Sequence, residues 1–283
     1  MDSVKVKVYA KINLSLNVGF KDGLYHDLDT VMTSVDLYDV VSVVKRTDKN
    51  INVSLNGKKV ASSNAMKAAL LLQNRYNTEG TDIFVQSGIP SGGGLGGSSA
   101  DAAAVIRATD VLYGLSLKES DMIDIGIKIG SDVPYMLFGG YARLRGKGEF
   151  FTRFEGPEGK VLVSGMGSVN TAECFKRFDL QNKQGLVSDN DAFLRELKRG
   201  SFNDCGKYFL NALSAAAETL NPHIGKIKEI MRESGLDACM TGSGAYVFGA
   251  GKEGDLLKAA EKLKEAGYPY NIINTVKNGC ITV

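Results

Sequence analysis

The chain has 283 residues, 43% hydrophobic and 23% charged, a balance that excludes disordered and fibrous classes and suits one large domain or two modest ones. Thirty-four Lys and Arg against 32 Asp and Glu leave a formal charge of +2. No block of like charge is long enough for a nucleic-acid tail or a membrane-binding helix, so the expected partner is a small molecule, with no nucleic acid and no membrane. The opening residues alternate polar and apolar and lack a signal-peptide pattern, and no apolar run of about eighteen occurs, so a cytoplasmic protein is expected. Cys174, Cys205, Cys239 and Cys280 are widely spaced without a C-x-x-C pair, which fits buried apolar residues better than zinc or disulfide chemistry.

Over residues 4–18 every second position is apolar, which predicts a strand, bent or broken midway, with Val4 to Val18 on one face. Residues 21–29 are polar and read as a loop, and 40–44 and 51–55 as strands. Ser62 and Ser63 precede Asn64, where a run of helix formers begins. A short strand over 82–86 leads into a glycine-rich loop, and residues 99–113 are alanine-rich and helical. Ser116 and Glu119 form an S-x-x-E pattern that predicts the start of a helix reaching Ile129 and closed by Gly130. Strand-like segments at 141–145 and 160–164 flank a polar linker at 146–159. A division there gives domains 1–155 and 156–283. Helices are predicted over 191–199 and 203–218, and after Asn221-Pro222, where Ile224, Ile227, Ile230 and Met231 make an apolar stripe before Gly235. Strand, turn and strand follow over 239–251, then a helix over 253–266 and a strand over 270–276. Mixed strands and helices without regular βαβα alternation favour an α+β class.

Glycine is in excess, 33 residues against roughly 20 at an average frequency of about 7%. The densest cluster is Pro90-Ser91-Gly92-Gly93-Gly94-Leu95-Gly96-Gly97-Ser98-Ser99-Ala100, between a strand and a helix. Glycines let successive amides turn inward, and the helix that follows adds unpaired N–H groups and the positive end of its dipole, so the segment suits a phosphate. It has neither the Walker A spacing nor the dinucleotide pattern with its acidic residue.

The loop resembles the ATP loop of the galactokinase, homoserine kinase, mevalonate kinase and phosphomevalonate kinase superfamily. Two further motifs of that superfamily have counterparts, Ala10-Lys11-Ile12-Asn13-Leu14 and Met240-Thr241-Gly242-Ser243-Gly244-Ala245. More narrowly, A-K-I-N-L, D-G-L-Y-H-D-L-D-T-V, G-S-D-V-P-Y and R-G-K-G-E resemble the family of 4-diphosphocytidyl-2-C-methyl-D-erythritol kinases over nearly the whole chain.

The resemblance implies a kinase with an amino-terminal domain like ribosomal protein S5 domain 2 and a carboxyl-terminal ferredoxin-like domain. Its cofactors would be ATP and Mg2+, and its substrate the cytidine diphosphate methylerythritol of non-mevalonate isoprenoid biosynthesis, phosphorylated on the 2-hydroxyl by a monomer or homodimer. Asp132 would be the base and Lys11 the cation beside it. Taken alone, Asp132 reads as a helix cap before Pro134 and Lys11 as a solvated strand residue. Asn64 would lie on the adenine side and residues 90–100 around the phosphates. Asn13, Tyr25, His26, Thr171 and Phe175 would bind the acceptor, the tyrosine and phenylalanine stacking on cytosine. The protein ligand of magnesium is left unassigned. Leu24, Ala100, Asn170 and Ala212 depart from the family's usual residues. The alternatives are another small-alcohol kinase, of homoserine or mevalonate type, and a nucleotide-binding paralogue without catalysis.

Overall fold

The alternation that begins at Val4 is drawn out, in the computed structural model of the protein, into two long antiparallel strands, β1 (Ser3–Asp22) and β2 (Tyr25–Lys45). The structure describes residues 2–23, 25–146, 148, 150–181 and 187–283, with only the backbone of Phe20, Asp22 and Tyr25. β1 is bent as expected, with register shifts after Tyr9, Asn13 and Val18. Its apolar face is buried from Val4 to Leu16, and between Tyr9 and Asn17 the opposite face is buried too. Residues 21–23 and 25–29 are not an open loop: they belong to the end of the β1–β2 hairpin, with Lys21 opposite His26, and among the described residues no third strand flanks the ribbon before Leu28, which accounts for their polarity.

The first half continues through β3 (Ile51–Leu55), β4 (Lys58–Lys59), α1 (Asn64–Tyr76), β5 (Thr81–Gln86), α2 (Gly97–Tyr113), α3 (Glu119–Ile129), α4 (Val133–Phe138), β6 (Tyr141–Gly146) and β7 (Phe150–Phe154). Ser63 caps α1 by accepting the Met66 amide at 3.1 Å. The expected cap of α3 is corrected. Ser116 has φ +53° and lies outside the helix, while Asp121 accepts the Lys118 amide at 3.3 Å. The supposed linker at 146–159 also holds structure, because β7 pairs back on β6 from Phe150 to Phe154.

The second half comprises β8 (Lys160–Ser164), α5 (Thr171–Gln181), α6 (Asn190–Arg199), a 3-10 turn over Phe202–Tyr208, α7 (Ser214–Leu220), α8 (His223–Glu233), β9 (Asp237–Met240), β10 (Val247–Ala250), α9 (Glu253–Glu265), β11 (Tyr270–Val276) and β12 (Cys280–Thr282). The single helix expected over 203–218 is divided. Asn211 bridges to Leu16 of β1 and spends its side chain on the Met240 and Gly242 carbonyls, each at 2.8 Å. Strands β9-β10-β8-β11 pair antiparallel in that order, the arrangement of a ferredoxin-like unit.

The fold is α+β with two cores. One packs α1, α2 and α4 on β1, β2 and β5; the other packs α7, α8 and α9 on β8, β9 and β10. β1 joins them, its residues to Leu14 in the first core and Leu16 in the second. β11 adds to β2, and β12 to β1, so the last strands return to the first sheet. All four cysteines are free, and Cys174, Cys205 and Cys239 are buried.

Candidate active site

A cleft of about 570 Å3 opens where the cores meet, lined by the glycine loop, the middle of β1, the segment before α4, the start of α5 and the turn between β9 and β10. Three motifs distant in sequence interlock at its floor. The Lys11 amide donates to the Leu95 carbonyl at 3.0 Å, and the Asn13 amide to Thr241 Oγ1 at 2.9 Å. Thr241 Oγ1 is within 3.2 Å of the Gly94 carbonyl, to which it donates, and the Tyr246 amide donates to the Gly93 carbonyl at 3.1 Å.

This interlocking explains the glycines. Gly94 and Gly96 have φ of +75° and +83°. A Cβ on Gly94 would strike the Thr241 carbonyl, and one on Gly96 would meet the Met136 side chain and Lys11 Cγ. The glycines therefore let the loop nest against the other two motifs, as well as leaving its amides open to a ligand. Helix α2 begins at Gly97 with Gly96 as its cap, and Gly97, Ser98 and Ser99 of its first turn line the cleft, where a helix N-terminus can attract an anion.

Lys11 is 3% exposed. Its Nζ donates to Asn13 Oδ1 at 2.6 Å and lies 3.6 Å from Asp132 Oδ2. Asn13 in turn donates from Nδ2 to Thr30 Oγ1 at 2.8 Å. Asp132 holds the cap position of α4, yet its carboxylate makes no cap hydrogen bond and remains about one-third exposed in the cleft. An aspartate that is not spent on its helix, beside a buried ammonium and open to the cleft, is placed to accept a proton.

At the other end, Thr171 and Phe175 line the cleft from α5, and Thr171 Oγ1 is 2.9 Å from Ser243 Oγ. His26 does not line it. Its ring stacks on Phe175, with centroids 5.3 Å apart and planes at 23°, and meets the edge of Phe178. His26 Nδ1 is 3.2 Å from the Gly19 carbonyl. Its Nε2 lies 2.8 Å from Asp179 Oδ1 without forming a hydrogen bond. Lys21 also binds Asp179, whose carboxyl is held below the usual range by that hydrogen bond and by the nearby charges of His26 and Lys21.

The structure thus brings Lys11, Asn13, Asp132, residues 90–99, Thr171 and Phe175 to one cleft. Ala100 is fully buried in α2, away from the cleft, and Asn64 sits just behind Ser62 and Ser63 at its rim. Leu24 and the Tyr25 side chain lie outside the described residues. Asn170 caps α5 by accepting the Glu173 amide at 3.0 Å, a function that a serine could also perform. Sequence reading missed Thr241 as the knot between motifs, Asn211 as the brace of the third motif, and two carboxylates in the lining, Asp39 and Asp101. Only Asp101, adjoining the loop, gave a local hint.

Comparison with known proteins agrees with this geometry. Residues 63–140 match the family GHMP kinases N terminal domain, and residues 186–269 match GHMP kinases C terminal. A 4-diphosphocytidyl-2-C-methyl-D-erythritol kinase of Caldicellulosiruptor saccharolyticus is 37% identical over 268 residues, 92% of each chain. One of Clostridium perfringens is 35% identical over 87% of this chain and 88% of that protein. A crystal structure of 4-(cytidine 5'-diphospho)-2C-methyl-D-erythritol kinase superposes with TM-score 0.79 at 29% identity, covering 96% of this chain and 98% of the other. A homoserine kinase from Cytophaga hutchinsonii, at TM-score 0.77 and 15% identity over 100% of this chain and 98% of that one, shares the fold. The fold and cleft are those of a GHMP kinase, an enzyme that uses ATP. Within that class, the chain belongs to the family of the 4-diphosphocytidyl-2-C-methyl-D-erythritol kinases. Among the described residues no helix is long and apolar enough to cross a membrane.

Proposed function

We propose that the protein transfers the terminal phosphate of Mg-ATP to the 2-hydroxyl of 4-diphosphocytidyl-2-C-methyl-D-erythritol, as a cytoplasmic enzyme of isoprenoid biosynthesis. The observation that carries this reading is the Lys11–Asp132 pair, placed in one cleft between the glycine loop and Phe175. Asp132 accepts the proton of the acceptor hydroxyl as its oxygen attacks the γ-phosphorus. The bond to the bridging oxygen breaks and ADP leaves. Lys11 stabilises charge on the transferring group, and its bond to Asn13 holds the ammonium in place beside Asp132.

The loop from Pro90 to Ser99 holds the phosphates, with residues 1–155 as the ATP-binding domain and 156–283 closing the acceptor side. Among the described residues no three His, Cys, Asp or Glu side chains form a metal cluster. Magnesium, which neutralises phosphate charge, is read as arriving on ATP. Phe175 and Thr171 select the cytidine end, with His26 stacked on Phe175 to hold its ring in place, and the aromatic favours a planar base over homoserine or mevalonate.

The test offers purified protein and Mg-ATP each of the three acceptors, with ADP release and product mass as readouts. Phosphorylation of the cytidine compound alone is expected. Turnover of homoserine or mevalonate in its place, or ATP binding with no turnover on any of the three, would overturn the assignment.

A further inference from the structure

A carboxylate pair under the phosphate loop is not used by the reaction as described. Asp39, on β2, is 1% exposed and accepts the amides of Gly88 and Ile89 at 2.7 and 2.8 Å. Those two residues lead from β5 into the loop. Asp101 stands on the second turn of α2, the helix by which the chain leaves the loop, and its side chain is within hydrogen-bonding reach of Asp39. Asp101 Oδ1 is buried without a donor. Both residues line the cleft, and a Cβ placed on Gly97 would lie 3.9 Å from Asp39 Oδ2, so the pair adjoins the anion-binding end of α2.

Two ionised carboxylates in such a site repel each other unless a cation joins them. Lys11 on β1 and Asp132 before α4 pair with one another. On α1, Lys67 is exposed and Arg75 binds Asp121 and Asp124 of α3. Within α2, Asp110 accepts the Leu117 amide, and Arg107 forms no ion pair with either carboxylate; α4 carries no charged residue. Among the described residues no lysine or arginine bridges to Asp39 or Asp101. A shared proton resolves the conflict. Burial, and then the charge of Asp39, push the Asp101 carboxyl up to about 8, and burial also raises Asp39.

We propose that Asp39 and Asp101 share one proton and act as positioning residues for ATP, tying the entry of the phosphate loop to its exit while holding a second negative charge back from the triphosphate. The proposal rests on the reading of this cleft as the ATP site. On the acid side of the Asp101 transition the pair carries one charge and stays bonded. On the alkaline side the bond is lost and the second charge opposes the phosphates.

The test is equilibrium binding of Mg-ATP, without acceptor, between about pH 6.5 and about pH 9.5, for wild type, Asp101→Asn and Asp101→Ala. Wild-type Kd is expected to rise roughly three- to tenfold across the range, the size of one partly screened charge near the phosphates. Asp101→Asn, which donates to Asp39 but cannot titrate, should hold its affinity, and Asp101→Ala should bind more weakly throughout. A flat wild-type profile, or an equal rise in Asp101→Asn, overturns the proposal. Wild type that binds no Mg-ATP at any pH overturns the ATP reading of the cleft and the proposal with it. The infrared band of a protonated carboxyl in wild type, present near neutrality and lost at the alkaline limit, tests the shared proton without a variant; its absence near neutrality refutes the sharing.

Discussion

At the glycine-loop end of the cleft, three segments far apart in sequence interlock through backbone amides and a buried hydroxyl, whereas at the α5 end side chains of the β1–β2 hairpin and α5 meet by their tips. On the proposed reading, the first arrangement fixes a geometry that any phosphoryl transfer from ATP requires. The second is held by rings and an ion pair near the surface, and can be altered without disturbing the core. The proposed function thus has generic chemistry and particular recognition built with different forces in one cleft.

The sharpest way to break this contrast is Asp132→Ala, which should lower turnover roughly 10²- to 10⁴-fold with Mg-ATP affinity changed little, as read by single-turnover kinetics and titration. Near-normal turnover would remove Asp132 from the chemistry. Next is Gly94→Ala. Its positive φ and the Thr241 carbonyl oppose a side chain, so a loss of about 1–3 kcal/mol of stability together with weakened ATP binding is expected in thermal melts and titrations. Thr241→Val should raise the KM for ATP by roughly five- to thirtyfold, because the Asn13 amide loses its acceptor, while Thr241→Ser should restore it. At the other end, His26→Ala should raise the KM for the cytidine substrate by about tenfold and leave that for ATP unchanged, the value of a lost ring contact with its alignment. If ATP affinity alone moves, the two ends have been assigned the wrong way round. Smallest is Lys21→Ala. Its ion pair with Asp179 is half in solvent, so about 0–1 kcal/mol of stability and a modest salt dependence are expected.

Stability should carry the mark of Asp101 as well. Burial and the charge of Asp39 raise its carboxyl from the ordinary aspartate value of 3.8 to about 8, so between roughly pH 4 and pH 8 the native protein binds a proton that the unfolded chain gives up. Wild-type stability contributed by that group is full below this window, falls through it and levels off above it. Melting temperatures of Asp101→Asn should lack that slope.

Much of the fold was legible because burial follows period. The alternation in β1 and the capped stripe of α8 were both readable, and the glycine loop declared itself by composition. Errors fell where polar residues carry regular structure without a buried face, as in the hairpin tip and β7, or where a tertiary contact overrides helix formers, as at Asn211. Lys11 and Asp132 emerged only through resemblance, since a lone lysine in a strand and an aspartate before a proline have commoner explanations. Asp39 was invisible in sequence because its partner lies a whole sheet crossing away.

The return of β12 to β1 has a consequence for how the protein is made. Residues 280–282 pair with Val6, Lys7 and Val8, and the Val283 amide donates to the Lys5 carbonyl at 2.9 Å. During synthesis that side of β1 waits with open amides and carbonyls until residues 280–283 have emerged, and the edge is closed by long-range pairing of the slow-forming kind. Truncation before residue 280 should therefore show itself in aggregation of newly made chains, well away from any residue of the cleft.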